Sequence, residues 1–248
     1  KEIDGPRENL HPLLDLIIEH VKPAKLDNTK PFAMEPDNSV NYGGDNGVRE
    51  LQIASNIFIP INQSGEEVFQ NVANATGDFS ANYTVNESGV SLASATITNR
   101  DTYNSTANNP QDYTFTFSDP DLLTVTDSGG NDVYPATPYV AGQTITFEGI
   151  EVELNGNPLP GDSFVISEEE EISIFETISG AIEWMERGVV SDDQNPEQHQ
   201  VDYSTLLTQV NSATSHMTSR RVDAGVRLQV LETQENRHLD TELATTTN

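Results

Sequence analysis

The C-terminal part of the chain constrains the fold most, because it reads as one long helix. Between Glu197 and Asn248 there is no proline, and the only glycine is Gly225. Apolar residues recur there at steps of three, four or seven, which returns them to one helical face. They are Leu206, Val210, Ala213, Met217, Ala224, Leu228 and Leu231. At ~1.5 Å per residue the helix would be roughly 70–75 Å long, longer than a small domain is wide.

A helix of this length needs a partner along its apolar stripe. The partner can be another helix of the same chain, a neighbouring copy of the molecule, or both. The stripe is weak for a coiled coil, because Ala213 and Ala224 are small and Arg220 and Arg221 interrupt it. Two interpretations therefore stay open, an intramolecular helical hairpin and an assembly helix.

Two further segments have helical periodicity. The segment Glu8–Val21 carries a strongly apolar face, which makes it a natural partner for the long helix. A second pattern runs from Ile172 to Met185 and closes at Arg187-Gly188, where glycine favours a helix cap. The acidic run Glu168–Glu171 precedes it, and we expect these carboxylates in the first turn of that helix.

The residues between these helical segments, 36–167, have the pattern of an all-β region. Short alternating stretches are separated by turn sequences such as Glu148-Gly149 and Asn155-Gly156. A short helix is expected at 65–73 and a mobile loop at 99–112. Strands are predicted at 48–54, 56–61, 82–85, 90–98, 113–117, 122–126, 144–147, 150–154 and 163–166. Their number and spacing indicate an antiparallel sandwich or barrel.

These segments predict an α+β protein of two domains. A long-helix bundle is formed by both chain ends, residues 1–35 and 168–248, and an antiparallel β sandwich or barrel-like domain, residues 36–167, is inserted between them. Because the chain begins without methionine and stops inside a helical pattern, we expect a trimmed fragment.

Composition excludes several classes of function. The 12 basic and 40 acidic residues give a net charge of −28, which argues against nucleic acid or an anionic membrane as partner. The chain has no cysteine, so a disulfide framework and a thiolate metal site are excluded. No apolar run reaches the ~18–20 residues of a transmembrane helix.

The sequence offers no constellation for catalysis or metal binding. None of the five histidines forms a His-x-x-x-His pair. The acidic clusters at 119–121 and 127–132 lack the spacing and terminal glutamate of an EF-hand loop. A phosphate loop and a Gly-x-Ser-x-Gly nucleophile elbow are also missing. We therefore expect a protein that is not an enzyme and has no cofactor and no metal.

Three stretches carry a resemblance to a known family. The sequence RRVDAGVRLQVLETQENRHLDTEL, residues 220–243, resembles the C-terminal helix of the flagellin superfamily. The stretches YGGDNGVRELQI, residues 42–53, and ITFEGIEVELNGNPLPGDSFVI, residues 145–166, resemble the inserted domain of the flagellar hook-associated protein type 3 family. Residues 20–25 depart from the family pattern at the hinge, and the family's terminal helices are lacking here.

The resemblance implies a structural component of the bacterial flagellum. Its members are exported by the flagellar secretion apparatus with an export chaperone, and they act outside the cell. They form a ring of copies that adapts the first hook–filament junction protein to flagellin. Without the terminal helices, this fragment is expected to be a monomer in solution. Two other functions stay open, a flagellin-like filament subunit and a secreted acidic adhesin or binding module.

Assembly contacts are expected on the long helix. For Leu228 and Leu231, packing inside the helical bundle is the alternative to contact with another subunit. For Arg227 the alternatives are an intramolecular and an intersubunit ion pair. Glycine inside a helix costs roughly 1 kcal/mol relative to alanine, so a helix or subunit is expected to cross closely at Gly225. The candidate assembly and packing residues are Leu206, Val210, Met217, Gly225, Arg227, Leu228, Leu231, Glu235 and Asn236.

Overall fold

The computed structural model describes residues 31–35, 39–54, 56–106, 111–119, 122–187 and 195–246. Within them the sheets are antiparallel and are combined with helices, which is the α+β class that the sequence predicts. The helix predicted at 8–21 and the glycine cap predicted at 188 lie outside the described residues.

The elements are numbered here in chain order. The strands are β1 Phe32–Met34, β2 Val40–Tyr42, β3 Glu50–Ala54, β4 Ile57–Pro60, β5 Phe79–Val85, β6 Ser91–Ile97, β7 Tyr113–Asp119, β8 Leu122–Thr126, β9 Asp132–Pro138, β10 Ile145–Phe147, β11 Ile150–Asn155 and β12 Ser163–Glu168. The helices are α1 Arg100–Ser105, α2 Ile174–Arg187 and α3 Pro196–Thr246, and a single turn of π-helix spans Glu66–Gln70.

The chain forms two compact units. The first comprises Lys1–Val72, Ser173–Glu176 and Ala213–Asn248, and the second comprises Ala73–Ile172 and Thr177–Ser212. The domain boundaries read from the sequence, at 35/36 and 167/168, and the bundle of end helices stay predictions.

The second unit contains two sheets that share one hydrophobic core. One sheet has the strand order β5-β12-β7-β8-β9, and the other has the order β10-β11-β6. Alternate residues of each strand point into the core, as the period of two requires. Phe115 stacks on Phe164 with ring centroids 4.8 Å apart, and both side chains are fully buried. Phe147 of the other sheet meets Tyr113 at 5.0 Å.

The first unit contains two separate two-stranded ribbons, β1–β2 and β3–β4. Its buried aromatic cluster is centred on Phe32, whose ring lies 4.9 Å from Tyr42, 5.4 Å from Phe69 and 5.0 Å from Phe175. Gly65 lies beside this cluster, where an added Cβ would be 2.6 Å from Tyr42 Cε2 and 2.9 Å from Phe32 Cζ. Only glycine therefore fits between these rings at this position.

The start of α2 differs from the prediction. The helix begins at Ile174, and the acidic run Glu168–Glu171 precedes it instead of filling its first turn. Ser173 caps the helix, since its Oγ accepts from Glu176 N at 2.9 Å while Glu176 Oε2 accepts from Ser173 N at 2.8 Å. This reciprocal pair is a capping box, which satisfies two helix donors directly.

The expectation of a mobile loop at 99–112 is wrong at residues 100–105, which form α1. Asn99 supplies the N-cap, and its side chain accepts a hydrogen bond from Thr102 N at 3.0 Å. Tyr103 then buries its ring against Phe79, with centroids 6.1 Å apart. The polar composition that suggested a loop therefore contains a helix cap and one aromatic anchor.

Three strands were not predicted from the sequence, namely β1, β2 and β9. Strand β9 contains Pro135 and Pro138, which argue against a strand in pattern reading. Of the described strands only β8 pairs with it, with register shifts along the pair, so it lies at the edge of its sheet. Proline is tolerated there because an edge strand has donors that the sheet does not use.

Helix α3 confirms the prediction of one long C-terminal helix. It spans 51 residues without interruption, from Pro196 to Thr246. Asn195 caps its start, since Asn195 Oδ1 accepts from Glu197 N at 2.9 Å. Proline at the first helical position costs no hydrogen bond, because that amide has no partner inside the helix.

Candidate functional site

The ribbon β3–β4 is the first part of the candidate site. The pairs Leu51–Ile59 and Gln52–Phe58 face each other across it. Beyond the strands the side chain of Asn62 extends the ladder, since its Oδ1 accepts from Arg49 N at 2.6 Å and its Nδ2 donates to Gly47 O at 2.9 Å. The backbone of the ribbon is therefore well fixed at its open end.

The ribbon and the residue after it carry large apolar side chains that the described residues leave exposed. Leu51 is 47% exposed, Ile57 46%, Phe58 54% and Ile61 53%. Ile53 is nearly buried, at 9% exposure, so the ribbon is anchored by one residue while its neighbours face solvent. Leu51 pairs with Ile59 and Phe58 pairs with Gln52, so Leu51 and Phe58 lie on opposite faces and each face exposes a large apolar side chain. Exposed apolar surface of this kind is typical of protein–protein contacts.

The same unit brings helix α3 against the segment that follows the ribbon. Arg227 Nη1 donates to Asn62 O at 3.2 Å, which ties the helix to the end of the ribbon. A groove of about 330 Å³ opens beside this contact. It is lined by Pro60, Ile61, Asn62, Gln63, Ala224, Arg227, Leu228 and Leu231.

A second contact attaches the π-helical turn Glu66–Gln70 to helix α3. Arg220 Nη1 lies 2.5 Å from Glu67 Oε1, and the side chains are 26% and 41% exposed. His216 Nε2 lies 3.1 Å from Glu67 O. Because the ion pair is partly exposed, we expect it to contribute at most about 1 kcal/mol, and its role is to set the position of the segment on the helix.

The structure brings together three of the residues predicted on the long helix. Arg227, Leu228 and Leu231 line the groove, and Leu228 is 61% exposed. Two others belong to the second unit, where Leu206 is half-buried and Val210 is 39% exposed.

The remaining predicted residues do not line the groove. Met217 is half-buried, and Glu235 and Asn236 are exposed. For Arg227 the described residues show a hydrogen bond to a backbone carbonyl, and among them no ion pair of this side chain is found. An intersubunit contact of these residues stays a prediction.

Gly225 lies in the first unit on the same helix, between Ala224 and Arg227. Among the described residues, no atom comes within 4 Å of the position that a Cβ would take. A close crossing by another helix of this chain is thus not seen in that part of the chain, whereas a crossing by another subunit stays a prediction.

The exposed ribbon residues were not singled out from the sequence. The run Ile57–Ile61 is apolar at every position, which predicts a strand covered on both faces. Among the strands that the structure describes, it pairs with β3 alone, and it carries exposed residues. The signal that could have identified it is Pro60 at the strand end, since proline favours an edge position.

The described residues contain no group of three or more His, Asp or Glu side chains that could hold a metal ion. In the turn at 127–131, Asp127 Oδ1 accepts from Asn131 N at 2.8 Å and Oδ2 accepts from Asn131 Nδ2 at 2.9 Å. These hydrogen bonds lower the pKa of Asp127 and occupy its oxygens. In the part of the chain that the structure describes, no helix is both long and apolar enough to cross a bilayer.

Buried phenols are the most perturbed titratable groups of the second unit. Burial raises the pKa of Tyr83 to about 12 and also raises the pKa values of Tyr103, Tyr113 and Tyr139. Tyr113 Oη donates to Glu148 Oε2 at 2.8 Å, an arrangement that further favours the neutral phenol. These groups stabilise the core in their protonated form and offer no acid or base that works near neutral pH.

Comparison with solved structures gives matches over almost the whole chain. A flagellar hook-associated protein 3 from Legionella pneumophila is 26% identical, with a TM-score of 0.73, over 97% of this chain and 79% of the other. The flagellar junction protein FlgL from Legionella pneumophila is 27% identical, with a TM-score of 0.72, over 96% of this chain and 78% of the other.

A crystal structure of FlgL from Xanthomonas campestris has the same fold, with 23% identity and a TM-score of 0.71 over 97% of this chain and 79% of the other. No protein-family model and no curated protein sequence matches the chain. The resemblance to flagellar hook-associated protein type 3 that the sequence motifs carry is confirmed by these structures.

Proposed function

We propose that this protein is a structural adaptor of the bacterial flagellum, which joins the first hook–filament junction protein to flagellin at the hook–filament junction. The observation that carries the proposal is the near-complete structural match to two proteins named for this place in the flagellum. An assembly role needs no catalytic group.

The exposed apolar ribbon supports the mechanism. In a ring of identical subunits each copy must offer apolar surface to its neighbours, and the exposed residues Leu51, Phe58 and Leu228 would be covered there. Truncating a large side chain in the centre of such a contact costs more than 1 kcal/mol of binding free energy at a minority of positions. We expect those positions in the ribbon and along the groove.

The two-domain arrangement belongs to the same proposal. Helices from both chain ends would form the bundle that packs from one subunit to the next, and the inserted β domain would stand outside the tube. The protein would be exported by the flagellar secretion apparatus with its chaperone and would work outside the cell. No cofactor takes part in this mechanism.

The first test is deletion of the full-length gene in the source bacterium. Short hooks without filaments, with monomeric flagellin in the culture medium, are the expected result. Normal filaments and normal swimming would overturn the proposal. If the purified full-length protein instead polymerised into long filaments by itself, it would be a filament subunit.

A matched pair of substitutions tests the ribbon. Leu51 and Leu159 are the same residue type and are both 47% exposed, but Leu51 lies on the ribbon and Leu159 lies in the turn before β12. Leu51→Ser in the complementing gene should release flagellin into the medium, while Leu159→Ser should restore swimming. Equal swimming of the two variants would remove the ribbon from the proposed contact.

A further inference from the structure

The two sheets of the second unit differ in the charge of their outer faces. On the five-stranded sheet, strands β5, β12, β7 and β8 present uncharged side chains outward. These outward side chains are Asn82, Thr84, Ser163, Val165, Thr114, Thr116, Thr124 and Thr126, all exposed or half-buried. We call this set the neutral face.

The neutral face is regular at its centre. Across β7 and β8, Thr114 lies opposite Thr126 and Thr116 lies opposite Thr124. Ser163 of β12 lies opposite Thr116. No register shift interrupts these rows, so the side chains form a lattice with strands about 4.8 Å apart.

The other sheet has a charged outer face. Its central strand β11 carries Glu151 and Glu153 outward, opposite Thr96 and Ser94 of β6. On the five-stranded sheet the neutral residues are bordered by acidic ones, since Asp119 ends strand β7 and Asp132 lies on the edge strand β9 opposite Thr126. Arg100 is the only basic residue of the sequence between 73 and 172.

The neutral face carries threonine hydroxyl groups. Among the described residues, the side-chain oxygens of Thr114, Thr116, Thr124 and Thr126 make no hydrogen bond. Each threonine presents a hydroxyl, which can donate and accept, together with a methyl group. Such a surface can pack closely and still satisfy its polar groups with a partner.

The net charge of the chain indicates which kind of partner can contact the neutral face. With a net charge of −28, two copies repel wherever acidic surfaces approach within a Debye length, about 8 Å at physiological salt. A cationic partner would be attracted most strongly to the acidic faces and least strongly to the neutral face. A face without charge is where another strongly acidic surface can come into contact at the lowest electrostatic cost.

We infer that the neutral face is the lateral contact through which the β sandwich of one copy meets the neighbouring copy of this chain. The inference rests on the proposed ring. It assigns to the sandwich a share of the subunit contact that the ribbon and helix α3 do not supply.

The test uses photo-crosslinking in the bacterium that carries the full-length protein. Benzoylphenylalanine is placed at Thr124 on the neutral face or, as the matched control, at Thr96 beside Glu151. Both threonines are half-buried and lie inside strands. The expected result is an adduct of two copies of this chain from position 124 and none from position 96, with mass spectrometry identifying the peptides.

Three outcomes would overturn the inference: an adduct of position 124 with a different protein, no adduct from position 124, or equal self-adducts from both positions. Because filaments and released flagellin are scored in the same cells, a failed inference with normal junctions leaves the adaptor function standing. The adaptor function is tested separately by the deletion strain, in which normal filaments and normal swimming would overturn it.

A second measurement uses charge. The pair Thr116→Glu and Thr124→Glu places two carboxylates on the neutral face, whereas Ser94→Glu and Thr96→Glu add the same charge to the acidic face. Like charges brought together at a contact oppose binding, so the first pair should reduce the yield of self-adducts from a neighbouring photo-crosslinker more than about tenfold. The second pair should leave the yield unchanged, and equal yields in both variants would overturn the inference.

Discussion

Strands β7 and β8 form an antiparallel pair, as do β3 and β4, but the two pairs differ in how far their apolar side chains are buried. On β7 and β8 the side chains of Phe115, Leu123 and Val125 are at most 1% exposed. On the ribbon, Leu51 and Phe58 are about half exposed, at 47% and 54%. Both pairs carry large apolar side chains, so the difference lies in how far the described residues cover them. In the proposed ring, a neighbouring subunit would cover those of the ribbon.

Replacing phenylalanine by alanine in each of the two strand pairs should give the largest difference in the free energy of unfolding. Phe115→Ala removes a fully buried ring that stacks on Phe164, and we expect the free energy of unfolding to fall by about 3–5 kcal/mol. Phe58→Ala at the exposed ribbon should change it by less than about 0.5 kcal/mol. Denaturant unfolding of both variants measures the difference, and a large loss for Phe58→Ala would mean that the ribbon is part of the core.

Alkaline pH should destabilise the sandwich through its buried phenols. Burial raises the pKa of Tyr83 to about 12 and raises those of Tyr103, Tyr113 and Tyr139, so the unfolded chain loses these protons first. The stabilisation is complete below about pH 10 and is lost as the pH rises from there through the folded values, at about 1.4 kcal/mol per pH unit for each tyrosine. Circular dichroism against pH, with tyrosinate absorbance, follows the loss.

Tyr139→Phe is the control for this prediction. The Tyr139 side chain is buried, and burial is the main cause of the raised pKa of its phenol. The variant should keep its stability near pH 8 and lose less of it above pH 10. An unchanged alkaline transition would show that the phenol of Tyr139 is not part of the effect.

Gly65→Ala tests a tightly packed part of the first unit, the aromatic cluster around Phe32, for comparison with the exposed ribbon. The new methyl group would meet the rings of Tyr42 and Phe32 at 2.6 and 2.9 Å. Overpacking of this kind costs typically about 1–3 kcal/mol. We expect a lower melting temperature, and a melting temperature equal to that of the unmodified protein would show that the rings move aside freely.

Gly225→Ala is the matched substitution with the smallest expected effect and the opposite sign. No described atom lies within 4 Å of the added methyl group, and alanine is the better helix former by roughly 1 kcal/mol. The melting temperature of the isolated chain should rise. If junction assembly in the bacterium also stays normal, then no subunit crosses closely at Gly225.

The sequence predicts those parts of the fold whose secondary structure follows from the spacing of apolar residues. Strands β7 and β8 alternate with a clear period of two, and helix α3 has a weak apolar stripe in a long stretch without proline. All three lie where the sequence places them. Strand β9 was missed because Pro135 and Pro138 are permitted only at a sheet edge, and a sequence pattern does not show which strand is at the edge.

The candidate site was harder to predict than the fold. The pattern at Ile57–Ile61 predicts a strand but not the sheet it joins, so its exposure could not be read from the sequence. Leu228 lies on the predicted helix, but its 61% exposure depends on what covers that side of the helix. The neutral face follows from strand register, which brings Thr116 and Thr124 together from separate strands.

The continuity of α3 has a mechanical meaning. Its 51 residues form a rod of about 76 Å in which the backbone hydrogen bonds run nearly parallel to the axis. Apart from Pro196 at its first position the rod has no proline, and proline is the commonest cause of a sharp kink. Axial load on such a helix is carried by its backbone hydrogen bonds, with no proline after its first position to concentrate bending.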